Sequence, residues 1–280
     1  MKRLSLLIVG SLVALAHGQQ TASVPIIVAA AEPSSHSVQA ADLKVEVNHQ
    51  SATVVSLTSF ASKQLQYVLI NDRRVRTKWP GGTEQQVNVA SKFLKQVVAV
   101  GADIGTLINS GDGVILDAQN EKDPAKLASK LDRTGLYSTL YDAIVASTQL
   151  LMKEPTSADY RKVIFLFCDG TDNKSHISLE EAIRALQKAS IPIFIFAPSE
   201  VEKRKNGEQL RELADQAGGR TYFLPPDTRH LVFDDLKRDL AQSFLLTVSI
   251  PPSKGMSPLI VTDLGNSKTS VRAASQVFVP

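Results

Sequence analysis

The chain has 280 residues, of which 43% are hydrophobic, and a formal net charge of +3 at pH 7. Because this charge is small, the sequence lacks the basic surface that nucleic acid binding requires, and we expect no nucleic acid partner. The single cysteine, Cys168, excludes an intrachain disulfide, so a hydrophobic core of ordinary size must hold the fold together.

The first 18 residues have the layout of a secretory signal peptide. Lys2 and Arg3 precede an apolar run from Leu4 to Ala16, and the small residues Ala16 and Gly18 form a cleavage site. An uncleaved membrane anchor is the alternative, but the run is shorter than the ~20 residues that a bilayer requires. We therefore expect a secreted or periplasmic protein whose mature chain has no membrane span and, without its two N-terminal cations, a formal charge of +1.

After the signal peptide, residues 19–41 are rich in Ser and Ala and show no sustained period, which predicts a linker or disordered lead. We expect residues 42–280 to form one domain that begins with short edge strands and ends with tail strands.

From residue 65 onwards, strand and helix patterns alternate. Strands are predicted at 65–70, 103–109, 162–168, 191–197 and 220–224, with 113–118 as a further candidate. Helices are predicted at 84–99, 124–132, 138–152, 178–189, 207–219 and 227–242. Strands and helices that alternate with short loops indicate an α/β fold: a doubly wound, mostly parallel sheet with helices on both faces.

Asp169 follows directly on the apolar run 162–168, which is typical of a strand covered on both faces. In an open parallel sheet, ligands bind beyond the carboxyl ends of the strands. Ser138 and Thr139 stand at the start of a predicted helix, where their hydroxyls can cap the helix or face the same crevice. A carboxylate and hydroxyls are the hard oxygen ligands that Mg²⁺ prefers. The alternative is that Asp169 opens an ordinary loop.

Four segments in order resemble the von Willebrand factor type A fold: "YSTLYDAI", "RKVIFLFCDGTDNKSHISLEEAI", "IPIFIFA" and "LRELADQAGGRTYF". More narrowly, the chain resembles exported type A-related proteins of the acidobacterial type, a likeness that extends to the closing strands and covers about residues 65–280. The resemblance implies a Rossmann-like fold and a non-enzymatic, protein-binding module. Many members hold a divalent cation at a metal-ion-dependent adhesion site, which a carboxylate of the partner completes.

That site has three parts in the family: Asp-x-Ser-x-Ser after the first core strand, a Thr on a later loop, and an Asp after the fourth core strand. The resemblance places Asp169 at the last position. It places Ser138 at the Thr position, with Thr139 beside it. If a cation were bound, Asp169 and Ser138 would be its ligands.

The first part of the site is not retained. After the first core strand the chain reads "NDRRVR". A motif that begins at Asn71 puts Arg73 at the first serine position, whereas one that begins at Asp72 puts Arg74 there, and neither register retains a serine. We therefore expect a degenerate site with no metal and no other cofactor, because a desolvated arginine beside a divalent cation would cost several kcal/mol.

The two arginines suggest what replaces the metal. Arg73 or Arg74 could place its guanidinium in the vacated cation position and donate hydrogen bonds to Asp169. The alternative is that both side chains point to solvent. We expect the crevice formed by these residues to be the binding site, and Trp79 and Tyr137, which precede crevice loops, are candidate interface anchors.

No catalytic set is evident in the sequence. The segment "CDGTDN" invites comparison with phosphatases of the haloalkanoate dehalogenase type, but Phe167 stands where their nucleophilic carboxylate would be. A Gly-x-Ser-x-Gly elbow is absent. The sequence therefore favours a non-enzymatic, adhesion-type module with an unidentified protein partner. An α/β enzyme of unidentified chemistry and a purely structural envelope protein are the alternatives.

Overall fold

The computed structural model describes residues 20–30, 38–74, 77–131, 135–155, 157, 159–226, 233–250, 254–264 and 269–279. The predicted signal peptide at 1–18 lies outside these residues. Among the described residues, no helix is both long and apolar enough to cross a membrane. The described strands form two sheets, one of six strands and one of seven.

The seven-stranded sheet contains strands from both ends of the chain, all paired antiparallel in the order β12-β1-β10-β3-β2-β11-β13. Its strands are β1 (Gln20–Ala30), β2 (Leu43–Val47), β3 (Gln50–Ser59), β10 (Ser243–Ile250), β11 (Gly255–Asp263), β12 (Thr269–Ala273) and β13 (Gln276–Val279). A separate apolar core, which includes Val24, Val45, Val248 and Val277, packs between these strands.

The prediction of a linker or disordered lead is wrong for residues 20–30, which form β1 between β10 and β12. Ala22, Val24, Ile26 and Val28 alternate into the core, a period-2 pattern partly hidden by the neighbouring apolar residues. Pro25 has no backbone N–H to donate to a ladder, and proline is therefore disfavoured in a central strand. However, β12 pairs only with Ile26 and the residues after it, so Pro25 lies in the half of β1 that forms an edge of the sheet.

The six-stranded sheet has the order β6-β5-β4-β7-β8-β9, and it is parallel except for β6. Its strands are β4 (Gln64–Asp72), β5 (Ile104–Ser110), β6 (Val114–Glu121), β7 (Tyr160–Phe167), β8 (Ile193–Pro198) and β9 (Arg220–Leu224). The strand order reverses between β4 and β7, so the crevice at a topological switch point lies beyond their carboxyl ends. The five predicted strands and the candidate strand at 113–118 are all present in this sheet.

In the described part of the chain, six α-helices cover the two faces of this sheet: α1 (Gly82–Gln96), α2 (Pro124–Ser129), α3 (Leu140–Lys153), α4 (Leu179–Ala189), α5 (Lys205–Gln216) and α6 (Phe233–Ala241). Helices α1, α2 and α6 pack on one face, around Tyr67, Phe93 and Phe165. Helices α3, α4 and α5 pack on the other, around Ile164 and Leu166. Because both faces are covered, the inner strands can be apolar throughout, which confirms the predicted α/β doubly wound fold.

Candidate functional site

The structure brings the predicted site residues together at the switch point. Asp72 ends β4, Asp169 lies two residues beyond β7, and Ser138 and Thr139 directly precede α3. All four are buried, as is Asn71. Parallel pairing sets this arrangement, since Asn71 on β4 lies beside Phe167 on β7.

Asp169 is hydrogen-bonded at both carboxylate oxygens. Its Oδ2 accepts a hydrogen bond from a terminal nitrogen of Arg74. The same oxygen accepts from the backbone N–H of Lys78 at 2.7 Å and from the Thr77 hydroxyl at 3.4 Å. Its Oδ1 accepts from the backbone N–H of Thr171 at 2.9 Å. The Asp169 side chain is 0% exposed and that of Arg74 is 11% exposed, so the two form a buried ion pair.

The structure distinguishes the two arginines that the sequence could not. The Arg73 side chain lies across Gly111 and Gly135, where a Cβ added to Gly111 would come within 2.6 Å of the Arg73 Nε. The Arg73 backbone N–H donates to Ser110 O at 2.8 Å. Arg74 is therefore the arginine that contacts Asp169, while Arg73 packs towards β5 and its following turn.

Asn71 has a structural role that the sequence did not reveal. Its Nδ2 donates to Asn109 Oδ1 at 2.8 Å, and its Oδ1 accepts from Gln86 Nε2 at 3.1 Å. Gln86 Nε2 also lies 2.5 Å from Asp72 O and 3.0 Å from Phe167 O, so this one amide joins α1 to the ends of β4 and β7.

The sequence carried a signal for Gln86. It stands three residues before Val89 and seven before Phe93, on the buried face of α1. A polar side chain at such a position must satisfy its hydrogen bonds inside the protein. Because Asn71 is held in this network, Asp72 is the β4 carboxylate that faces the crevice. Two residues after Asp72, Arg74 contacts Asp169; residues 75 and 76 lie outside the described residues.

Asp72 is the second carboxyl group of the crevice. Burial, followed by the charge of Asp169, raises the pKa of Asp72 to about 8, although Arg74 and the Ser138 hydroxyl act in the opposite direction. Among the described residues, no hydrogen-bond partner of good geometry is present for Asp72 Oδ1, Ser138 Oγ or Thr139 Oγ1. The raised pKa favours the protonated form of Asp72 beside the Arg74–Asp169 ion pair.

The loop after Asp169 is fastened to the start of α3. Asp172 Oδ2 accepts from the Tyr141 backbone N–H at 3.0 Å, and Asn173 Oδ1 accepts from that of Ser138 at 2.9 Å. Asp172 also accepts from the backbone N–H of Ser175 at 3.0 Å, which closes the turn that follows it. These contacts hold Ser138 against the crevice.

An open groove of about 600 Å³ lies beside this loop, lined mainly by polar side chains that include Lys78, Asp172, Lys205 and Asn206. Near it, Leu136 is 73% exposed and Tyr137 is 45% exposed, with Lys174 Nζ 4.8 Å from the centre of the Tyr137 ring. Of the two candidate anchors, Tyr137 is therefore on the surface, whereas Trp79 is buried.

Comparisons with known proteins agree with this architecture. Residues 113–236, from the start of β6 into α6, match the family model of the von Willebrand factor type A domain. The match begins after the loop that carries Asp72 and Arg74. The search of curated proteins gave no match.

Among solved structures, proximal thread matrix protein 1 from the mussel byssus has a similar fold. It gives a TM-score of 0.52 at 13% identity, over 68% of this chain and 48% of the mussel chain, in a structure described as having a zinc-occupied metal-ion-dependent adhesion site motif. A second crystal form gives a TM-score of 0.51 at 12% identity, over 66% and 49%. This chain thus spans about half the length of the mussel protein.

A von Willebrand factor type A protein from Catenulispora acidiphila is also similar, with a TM-score of 0.49 and 12% identity over 94% of this chain and 75% of that one. The sheet order, the switch-point crevice and the family match lead to one conclusion: the chain contains a von Willebrand factor type A domain.

Proposed function

We propose that the protein is an exported, non-enzymatic, adhesion-type binding module whose metal-ion-dependent adhesion site is degenerate. The observation that supports this proposal is the buried contact of Arg74 with Asp169, which puts a guanidinium beside the carboxylate that would hold the family's cation. Its place of action is the periplasm or the exterior of the cell, as the N-terminal sequence indicates.

The residues of the crevice do not fit a divalent cation. A cation at Asp169 would lie against the charge of Arg74, in a place too buried for water to screen the repulsion. Both oxygens of Asp169 already accept hydrogen bonds, and Asp72 would have to lose a proton to become a ligand. Among the described residues, the crevice therefore offers no free set of oxygen donors for such a cation.

A protein surface is the partner that suits this end of the sheet. The groove beside Asp172 is open and polar, and the exposed Leu136 and Tyr137 stand near it. Exposed aromatic side chains are typical anchors of protein interfaces. The one thiol does not support enzyme chemistry, since burial raises the pKa of Cys168 well above its usual value and keeps the sulfur protonated.

Thermal unfolding in the presence of Mg²⁺ or Mn²⁺ tests the degenerate site. We expect no shift of the midpoint with millimolar metal, with or without chelator. A cation that binds only the folded state would stabilise it by roughly 2.7 kcal/mol at a hundredfold excess over its Kd. A shift that disappears with chelator and in Asp169→Ala would contradict the proposal.

Capture from an envelope extract tests the binding role. We expect the full chain to retain a protein partner and Tyr137→Ser to retain much less of it. Val100→Ser is the matched control. Val100 is 76% exposed and precedes β5, so it lies at the amino ends of the parallel strands, away from Tyr137. Equal retention by both variants, or no retained protein, would contradict a binding surface at Tyr137.

A further inference from the structure

Strand β6 forms an edge of the six-stranded sheet, where β5 is its single neighbour among the described strands. The strand begins with three consecutive apolar residues at the surface: Val114 is 36% exposed, Ile115 40% and Leu116 46%. Successive side chains of a strand point to opposite faces, so this segment is apolar on both sides of the sheet. An apolar edge of this kind is a template for pairing with another chain, and most proteins protect it.

More exposed apolar surface lies beside this segment. A Cβ placed on Gly135 would lie 3.5 Å from the Gly111 Cα, so residue 135 packs against the turn that leads into β6. The next two residues, Leu136 and Tyr137, are exposed as well. Five of the ten exposed large hydrophobic residues in the described part of the chain are therefore gathered at this corner of the sheet. Apolar residues gathered in this way, unlike single scattered ones, mark interaction surfaces.

The backbone of the segment directs hydrogen-bonding groups away from the sheet. Ser110 O, on β5, accepts a hydrogen bond at 2.8 Å from the residue that follows β4. Because backbone groups alternate in direction along a strand, the preceding residue, Asn109, directs its N–H and C=O towards β6. Asn109 pairs with Ile115, whose backbone groups therefore point into the sheet. Those of Val114 and Leu116, on either side of Ile115, point outwards.

The rest of this edge is protected. Beyond Leu116 the pairing of β6 with β5 shifts in register, which marks a β-bulge. At the same place Lys130 Nζ donates to Asp117 O at 2.7 Å. Bulges and lysines are usual means by which proteins block an edge strand. The part of β6 that lacks these features is residues 114–116.

We propose that this edge pairs antiparallel with the same edge of a second copy of the chain, around a two-fold axis at Ile115. In this register Val114 of each copy lies opposite Leu116 of the other, and the two exchange both backbone hydrogen bonds. The apolar side chains of the two copies then meet on both faces of the joined sheet. Such an interface uses the same surface on both copies, so it closes at a dimer.

The charges beside the apolar segment are complementary in this register. Asp112 is exposed in the turn before β6, two residues before Val114. It therefore comes near Asp117 of the second copy, where Lys130 of that copy donates to the backbone carbonyl. Each copy thus brings an acidic side chain beside a lysine of the other, at both ends of the apolar segment. Opposite charges across a strand pair stabilise it.

The pairing also fixes how the two crevices are directed. In the joined sheet the two copies of β5 run in opposite directions, since each is antiparallel to its own β6. The two crevices at Asp169 therefore open towards opposite edges of the sheet, and the dimer would hold two partners on opposite sides. This consequence rests on the proposed function, whereas the pairing itself rests on β6 alone.

Sedimentation equilibrium of the full chain, with no partner present, tests the pairing. We expect a reversible monomer–dimer equilibrium with a Kd of about 1–100 µM, because the apolar segment is short and the interface is small. Ile115→Lys puts two like charges opposite each other at the two-fold axis and should weaken the dimer at least about tenfold. Ile260→Lys is the matched control: Ile260 is 49% exposed on β11 of the other sheet, so the dimer should be unchanged.

A cross-link tests the register. At the two-fold axis the Cβ atoms of the two copies of residue 115 lie ~4.5–5.5 Å apart, close to the separation that a disulfide spans. Ile115→Cys should therefore give a disulfide-linked dimer with oxidised glutathione, whereas Ile260→Cys should cross-link much more slowly. Cys168, the one natural cysteine, is buried and does not compete. Ile115 lies outside the buried cores, so its variants should keep the circular dichroism spectrum of the wild type.

Several outcomes would overturn the dimer. They are a chain that stays monomeric up to about 500 µM, an association that persists in Ile115→Lys, species larger than a dimer, and equal cross-linking of the two cysteine variants. The proposed function is tested separately, since a Tyr137→Ser variant that retains the partner would contradict the binding surface and leave the dimer unaffected.

Discussion

The Arg74–Asp169 ion pair provides the most direct test of how the crevice is stabilised. The side chain of Asp169 is 0% exposed and that of Arg74 is 11% exposed, so removal of either one leaves the other charge buried. Breaking such a pair typically costs ~3–5 kcal/mol of the free energy of unfolding, whereas an exposed pair contributes at most ~1 kcal/mol. The two cases are far enough apart to be distinguished by experiment.

The structure indicates an asymmetry between the two single variants. In Arg74→Met, Asp169 keeps the backbone N–H groups of Lys78 and Thr171, so we expect a loss near 3 kcal/mol. In Asp169→Asn, Arg74 loses its carboxylate and those backbone bonds lose a charged acceptor, so we expect up to ~5 kcal/mol. The double variant should lose less than the sum of the two, with a coupling of about 2 kcal/mol.

Urea unfolding followed by both far-UV circular dichroism and the fluorescence of Trp79 would measure these losses. Trp79 is the single tryptophan, it is buried, and it lies one residue beyond Lys78, which binds Asp169. Arg73→Met is the matched control, because Arg73 packs across Gly111 instead of contacting Asp169. Its coupling with Asp169→Asn should be below ~0.5 kcal/mol. A coupling near zero for Arg74, or an equal one for Arg73, would refute the buried ion pair.

Two further predictions concern the crevice and the strand edge beside β8. Because the folded pKa of Asp72 is about 8 and its unfolded value is 3.8, the folded state binds more protons between these values, and the Asp72 contribution to stability is lost as pH rises through this window. In Asp72→Asn, the unfolding free energy should therefore fall less between pH 5 and pH 8 than in the wild type, and at pH 8 the variant should be the more stable of the two. An unchanged slope would contradict the raised pKa of Asp72. Gly219→Ala should destabilise the fold by several kcal/mol in the same urea assay, because an added Cβ would lie 1.9 Å from Ile193 O. Gly113→Ala is the control and should have little effect, because the space around its Cβ position is open.

The sequence by itself determined the α/β part of the fold. The apolar run at β7 is a local signal, and among the described residues each predicted strand and helix of this part overlaps an observed one. Residues 227–232 of the predicted helix 227–242 lie outside the described residues. The sequence also predicted which residues lie at the switch point. Asp169 follows a predicted strand and Ser138 precedes a predicted helix, and the ends of these two elements meet there.

The tertiary structure decided which arginine contacts Asp169 and whether residues 20–30 form a strand. The choice between Arg73 and Arg74 depends on which backbone direction the loop takes after β4, and that direction is set by Asn71 and Gln86 across three elements. Likewise, β1 is a strand only because β10 and β12, more than 200 residues later, supply its partners. Long-range pairing of this kind leaves little trace within any short window of sequence, because each strand satisfies its hydrogen bonds with residues that the window does not contain.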